Sequence, residues 1–372
     1  MKFIIPSNLL LSQLSQISGV IVSKPVLPIL ENFLFDIKNG ELTISATDLE
    51  TSMSTKLPVE AKEDIKVAIP SRLTMDILRQ LADQPLTFTV NEENFSVEMS
   101  TSSGRYKLAG QNAADFPQMP EVQSEKSFEV TSSILSRAIN KTIFATGTDE
   151  LRPNLLGVYV EMGPNGTNFV ATDANRLVKY TRSNITSAEE SSFIIPKKAL
   201  NMLKSSLSND DSIVRVDYGA TNVFFSFGDI KLISRLIDER YPDYKNVIPK
   251  ENTNELTLSR LDLLNSVKRI SIFSNRATHQ IRLKITGSEL NISAEDLELS
   301  NEAQERLDCE YNGADMEIGF NSRYLVDLLS FMDGDSVKVL LDTPNKAGLL
   351  VPSENEENEE ILMLIMPMML SN

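Results

Sequence analysis

Residues 3–10 read Phe3-Ile-Ile-Pro-Ser-Asn-Leu-Leu10, and residues 67–74 read Val67-Ala-Ile-Pro-Ser-Arg-Leu-Thr74. Each is an apolar run that breaks at proline and serine and passes into an amphipathic segment, the signature of a strand giving way to a helix. The junction recurs at Val130-Thr-Ser-Ser-Ile-Leu135, Ile195-Pro-Lys-Lys-Ala-Leu200, Leu258-Ser-Arg-Leu261 and Phe320-Asn-Ser-Arg-Tyr-Leu325, with break residues at positions 6, 70, 131, 196, 259 and 321. Steps of 61 to 65 residues divide the 372-residue chain into six units of about 62. A repeat of that length is one supersecondary unit, and no stretch is left for a separate catalytic domain.

A coarser repeat pairs the units. Thr47-Asp-Leu-Glu50, Thr172-Asp173 and Glu295-Asp-Leu-Glu298 recur at steps of 125 and 123 residues, and Pro117, Pro242 and Pro367 at steps of 125. Three tandem domains follow, at 1–125, 126–252 and 253–372, each made of two related halves.

Within each half the break precedes about eleven residues of helical period, as in Leu73, Ile77 and Leu81, in Leu200, Leu203 and Leu207, and in Leu325, Leu328, Leu329 and Met332. Short β-rich runs come next, for example Glu41-Leu-Thr-Ile-Ser45, Leu86-Thr-Phe-Thr-Val90 and Ser212-Ile-Val-Arg-Val216, and Asn39-Gly40 marks a hairpin. The class is therefore α+β: each half is a βαβββ-like unit with a largely antiparallel sheet and one helix on one face.

Hydrophobic residues at 41% and charged residues at 24% place the chain among globular proteins, not disordered ones. One cysteine, Cys309, excludes an intrachain disulfide framework, and one histidine, His279, excludes any site needing two imidazoles from one chain. The opening Met1-Lys-Phe-Ile-Ile5 is broken by Pro6 before it reaches signal-peptide length, and Ile361–Leu370 is too short to span a bilayer. The expectation is a cytoplasmic protein with no membrane partner and no cofactor.

A net charge of −16 argues against nucleic acid at first sight, but distribution matters more than the total. The six helical windows, 7–17, 71–82, 132–142, 197–207, 259–270 and 322–332, contain no glutamate and together carry +8, leaving −24 on the rest of the chain. Lysine and arginine suit surface helices by propensity alone, but propensity favours glutamate equally. The functional reading is that the helices present Arg72, Arg79, Arg137, Lys141, Lys197, Lys198, Lys204, Arg260, Lys268 and Arg269 to the phosphates of a polyanion such as DNA, independent of sequence.

Leu27-Pro-Ile-Leu30, Thr47-Asp-Leu-Glu50, Ala114-Asp-Phe-Pro117, Val170-Ala-Thr-Asp173, Tyr241-Pro-Asp-Tyr244, Met316-Glu-Ile-Gly-Phe-Asn321 and Met366-Pro-Met368 stand in an order and spacing that fit three tandem repeats. On these segments the whole chain resembles the bacterial replicative sliding clamp, the beta subunit of DNA polymerase III. The resemblance implies a head-to-tail homodimer closing into a six-domain ring around duplex DNA. Tyr106 and Leu108 would meet Ile272 and Phe273 across the dimer seam, although ordinary core positions are the alternative for these four residues. It also implies a pocket for clamp-motif peptides of the polymerase III catalytic subunit, the clamp loader and other partners. Its lining would be Leu155, Thr172, Arg176, Leu177, Pro242, Val247, Asn321, Tyr324, Leu364, Met366, Pro367 and Met368. The methionines at 363, 366, 368 and 369 fit a groove that must accept several sequences, and equally a terminal strand that fills core gaps.

The chain departs from the family pattern at Asp173-Ala-Asn-Arg176, where some members have a Gly-His pair, and at Thr278, Met369 and the Ser371-Asn372 extension. Lys24 stands where an arginine is common on a DNA-facing loop, which keeps the charge but loses bidentate phosphate geometry.

Other signals carry little chemistry. The carboxylate pairs Asp48/Glu50 and Asp296/Glu298 recur at equivalent repeat positions, which favours a structural role over catalysis or metal binding. No phosphate-cradling glycine motif is present, so opening the ring requires an ATP-driven partner. The run from Glu354 to Glu360, with five glutamates, reads as a solvated hairpin loop. Two other classes compete with the non-enzymatic clamp: a hydrolase or transferase with its site between repeats, which needs perturbed carboxylates confined to one repeat, and a scaffold that binds only proteins.

Overall fold

The computed structural model describes residues 1–122 and 126–370. The step from residue 125 to 126, expected to separate the first two domains, touches residues outside that range, and the Ser371-Asn372 extension lies outside it.

The six helices are α1 (Ser7–Ile17), α2 (Ser71–Gln80), α3 (Ser132–Thr142), α4 (Lys197–Ser206), α5 (Arg260–Ser271) and α6 (Ser322–Phe331), each beginning one residue after a break residue. Proline precedes three of these starts, Pro6, Pro70 and Pro196, and its ring fixes φ at −63° at Pro6 and −54° at Pro70 ahead of the first turn. Side-chain caps explain two more: Ser259 accepts from the Asp262 amide and Asn321 from the Arg323 amide. One strand precedes every helix and three follow it before the next unit begins, apart from two-residue bridging strands at 60–61, 111–112 and 310–311.

One helical face differs from expectation. In α2 the buried positions are Ser71, Thr74, Met75 and Leu78, whereas Leu73 is exposed and Ile77 only partly covered. On the buried face Thr74 satisfies its hydroxyl by donating to Pro70 O at 2.6 Å. The helices α4 and α6 bury Leu200 and Leu203, and Leu325, Leu328 and Leu329, as their periods require. The Asn39-Gly40 hairpin forms with both residues at positive φ, 52° and 79°, pairing Lys38 with Glu41.

The chain divides into two compact units. Met1–Leu135 with Lys198–Leu236 form one, and Ser136–Lys197 with Ile237–Asn372 the other. The first holds a five-stranded sheet and a nine-stranded sheet, and the second a nine-stranded and a four-stranded sheet. All named strand pairs are antiparallel. In the first unit Phe3, Phe35 and Phe88 anchor the core, with the Phe3 and Phe88 rings stacked at 4.8 Å.

Each nine-stranded sheet is continuous across a step of the repeat. In the first unit Thr51–Pro58 pairs with Ile230–Arg235, and in the second Arg176–Arg182 pairs with Glu359–Ile365. Every one of these four is the third strand after its helix. The two remaining third strands, Arg105–Leu108 and Asn301–Asp308, are sheet edges.

Candidate functional site

The repeated Thr-Asp segments build one kind of turn. Asp48 Oδ1 accepts from the amides of Glu50 and Thr51, Asp173 Oδ1 from Asn175 and Arg176, and Asp296 Oδ1 from Glu298 and Leu299. In the first two, the threonine hydroxyl accepts from the residue at positive φ, Leu49 or Ala174, and donates back across the turn. These aspartates therefore act as backbone caps.

Arg176 closes the turn at 172–176. Arg176 is 8% exposed, and its guanidinium donates to Asp173 at 3.0 Å, to Asp327 at 2.5 Å and to the Phe144 carbonyl at 2.9 Å. The same group lies 4.9 Å from the Tyr324 ring centroid and 5.5 Å from that of Phe144. With Nε, Nη1 and Nη2 each donating and two aromatic rings against it, the Arg176 guanidinium is committed to partners within the protein.

Leu177 pairs with Leu364 across the sheet, and both belong to a buried cluster with Val170, Ile194, Tyr241, Tyr244, Ala347 and Leu349. Leu155 is buried as well. Pro242, Val247 and Met366 are exposed, and Thr172, Asn321, Tyr324, Pro367 and Met368 are partly covered.

The terminal segment is tied down at three points. The Met366 amide donates to Asn175 O and the Met368 amide to Gly319 O, both at 2.8 Å, and Gln280 Nε2 donates to Met369 O at 3.0 Å. Gly319 is required there, since a Cβ on it would stand 2.7 Å from Met368 O.

The matching step in the first unit shows what makes this site particular. There the Arg235 amide donates to Glu50 O at 2.9 Å, the counterpart of the Met366 bond to Asn175. Ser45 and Ser52 replace Val170 and Leu177, however, and Arg235 replaces Met366 and forms an ion pair with Glu50 at 3.6 Å. Lys198 pairs with Asp48 beside it. The turn and its backbone bond are repeated there with polar residues at these positions.

The basic residues fall into two groups. Arg72, Arg79, Lys198, Lys204, Lys268 and Arg269 are exposed on their helices, Lys24 is exposed on its loop at a φ of 55°, and Lys197 is partly covered. Arg79 pairs with Asp76 on the same helix, and Arg269 grips Glu305 through two bonds of 2.6 and 2.7 Å. Burial, then the nearby Arg176 cation, pushes the Lys197 amine down.

Arg137, Lys141 and Arg260 differ from the expectation that they face phosphates. Lys141 is 6% exposed and donates to Phe331 O at 2.7 Å and to Asp333 at 2.6 Å. Arg137 bonds to Asp333, Glu356 and Glu359, and Arg260 donates to the carbonyls of Gly334 and Leu329 at the end of α6. Their cations join elements within the unit. The acidic run is corrected with them. Glu359 is buried, and Arg137, Tyr180 and Arg182 all bond to it, so only part of 354–360 is a solvated loop.

Of the four expected seam residues, Leu108 is core at 1% exposure, since its side chain alternates inward with Val97 opposite. Tyr106 is partly covered, and Ile272 and Phe273 are exposed just past the end of α5. Cys309 is buried, and burial followed by the charges of Asp308 and Glu289 pushes its thiol up, the opposite of what a nucleophile needs. Among the described residues no cluster of three His, Cys, Asp or Glu could hold a metal ion.

Sequence reading missed the residues that hold Arg176 and the terminal segment in place. Phe144, Asp327, Gly319 and Gln280 carry no motif, and only Gly319, inside the quoted Met316–Asn321 segment, gave a signal in the form of a glycine within a strand.

Three family models match consecutively: the N-terminal domain of the DNA polymerase III beta subunit over residues 1–120, its central domain over 129–243 and its C-terminal domain over 245–369. The chain is 33% identical over 372 residues to the beta sliding clamp of Haemophilus influenzae and 32% identical over 371 to that of Escherichia coli, covering all of each. A sliding clamp of Pseudomonas aeruginosa, solved bound to griselimycin, superposes over the full length of both chains at a TM-score of 0.93 with 30% identity. The sliding clamp of Bacillus subtilis does so at 0.95 with 21% identity, a likeness of fold.

Proposed function

This chain belongs to the DNA polymerase III beta subunit family, and from that membership we propose that it is a sliding clamp, a non-enzymatic ring that encircles duplex DNA and tethers the replicative polymerase. Its three clamp domains are 1–125, 126–252 and 253–372. Retention on DNA is topological, and its contacts are with phosphates, so the ring slides without reading sequence. Lys24, Arg72, Arg79, Lys197, Lys198, Lys204, Lys268 and Arg269 supply those contacts. No helix among the described residues is long and apolar enough to cross a membrane. The working compartment is the cytoplasm, where DNA and polymerase are.

The observation that carries the ring is the pair of open edges. Two steps of the repeat are closed by third strands pairing antiparallel, and the two third strands left over are Arg105–Leu108 and Asn301–Asp308. None of the eight residues of Asn301–Asp308 is fully buried, whereas five of the seven in Arg176–Arg182 are. An unpaired edge is a template for another chain. Arg105–Leu108 of one copy joining Asn301–Asp308 of the next repeats the same seam, and two such heterologous contacts close a dimer. Tyr106 then meets Ile272 and Phe273.

The pocket over Leu155, Leu177 and Leu364, rimmed by Pro242, Val247 and Met366, receives apolar peptide segments of the polymerase III catalytic subunit, the clamp loader and other partners. Class averages of the purified protein in negative-stain electron microscopy test the ring directly. Closed rings of two chains are expected. Isolated single chains at micromolar concentration would remove the topological mechanism.

A further inference from the structure

Pro242 and Val247, the exposed rim of the pocket, sit on one loop whose fixed points lie elsewhere. Its buried roots are Tyr241 and Tyr244, both members of the cluster that contains the pocket floor residues Leu177 and Leu364. The Tyr241 ring stacks on Tyr159 at 4.5 Å with the planes 5° apart, and its hydroxyl donates to Val170 O at 3.3 Å. Tyr159 and Glu161 lie two residues apart on the strand Gly157–Gly163, and so on one face of the sheet.

Glu161 binds the loop through both of its oxygens. The Tyr244 hydroxyl donates to Oε2 at 2.7 Å and the Lys245 ammonium to Oε1 at 2.7 Å, while Asn168 Nδ2 completes the set at 3.0 Å to Oε2. Burial pushes this carboxyl up, but the bonds from Lys245, Tyr244 and Asn168 outweigh it and hold the group below the usual carboxylate range. Two consecutive residues of the rim loop thus share one acceptor on a rigid strand.

We infer that Glu161 is a positioning residue for the partner pocket, fixing through Tyr244 and Lys245 the loop that presents Pro242 and Val247; the inference rests on the proposed role of that pocket. Charge-assisted bonds of this kind are the strong ones, and a glutamine cannot replace them. An amide has one acceptor oxygen where the carboxylate has two, and its NH2 would face a donor. Lys245, once released, has Glu190 nearby to attract it. The loop would then sample positions in which its rim residues no longer meet the floor.

The test is binding of griselimycin, the compound held by the Pseudomonas aeruginosa clamp, to full-length wild type, Glu161→Gln, Tyr244→Phe, their double variant, Lys245→Met and Met366→Ala, with the melting temperature of each recorded. Glu161→Gln and Tyr244→Phe are each expected to weaken binding about fivefold or more, within the usual range of coupling between sites. The double variant is expected to bind no more weakly than the worse single one, because the two act through one bond. Lys245→Met breaks the tether from the exposed side without leaving a buried donor, and weakened binding at unchanged melting temperature is expected. Additive effects in the double variant, or wild-type binding by Lys245→Met where Glu161→Gln has lost stability, overturn the inference. Wild-type binding by Glu161→Gln while Met366→Ala loses it overturns the inference and leaves the pocket standing. Wild-type binding by Met366→Ala overturns the pocket reading itself.

Discussion

The guanidinium of Arg137 and the buried carboxylate of Glu359 meet face to face, Nε to Oε2 at 2.7 Å and Nη2 to Oε1 at 2.9 Å. Arg137 rises from α3 and Glu359 opens the terminal strand, so residues more than two hundred positions apart are joined by a bidentate pair. Arg182 and the Tyr180 hydroxyl share the same carboxylate, at 3.4 and 2.9 Å. Burial pushes the Glu359 carboxyl up, yet its bonds to Arg137 and Tyr180 hold it below the ordinary value.

Glu359→Gln therefore leaves Arg137 and Arg182 without their buried partner. The expected loss is about 3 kcal/mol of stability, the size found when one side of a buried pair is removed. Because the folded-state pKa of Glu359 is depressed, its contribution is present above the unfolded value and lost as pH falls through the folded one. Acid titration of the melting temperature should accordingly be shallower in Glu359→Gln than in wild type.

Gly319→Ala places a methyl group 2.7 Å from the Met368 carbonyl and 2.8 Å from a Leu370 methyl. The terminal segment must move, and Met366, Pro367 and Met368 move with it. Affinity for griselimycin should fall about tenfold, corresponding to the low end of overpacking costs, with DNA loading unchanged. Calorimetric titration measures it.

Lys204 and Lys268 are exposed cations that form no ion pair among the described residues. Lys204→Gln and Lys268→Gln should each reduce the slope of log DNA affinity against log salt by about two, one for each chain of the ring. Arg137→Gln should leave that slope unchanged while lowering the melting temperature. Filter binding across a salt series separates the two behaviours.

Ile272 is 78% exposed and Leu108 is 1% exposed, although both were expected at the seam. Ile272→Glu should yield a folded monomer with a nearly unchanged melting temperature. Leu108→Ala should instead cost about 2 to 5 kcal/mol of stability, as for any buried leucine. Sedimentation analysis beside thermal melts distinguishes them.

The repeated break at Pro6, Pro70, Thr131, Pro196, Ser259 and Asn321 was enough to locate every helix, because proline geometry and side-chain capping act within a few residues of the chain. The Asn39-Gly40 hairpin and the three aspartate turns were legible for the same reason: their bonds close locally. Which face of α2 is buried, which cations are already engaged and where the terminal segment rests were not legible. Lys141 and Lys204 look alike in a helical window, and only the arrival of Phe331 and Asp333 from a distant part of the chain distinguishes them. The proposed pocket divides along the same line. Its apolar residues could be named from the family resemblance, but the burial of Val170 and Leu177 with Leu364, where the first unit carries Ser45 and Ser52, depends on strands brought together by folding. Local geometry is written in neighbouring residues, whereas burial, charge pairing and the closing of an edge depend on contacts of high sequence separation, which only the tertiary structure supplies.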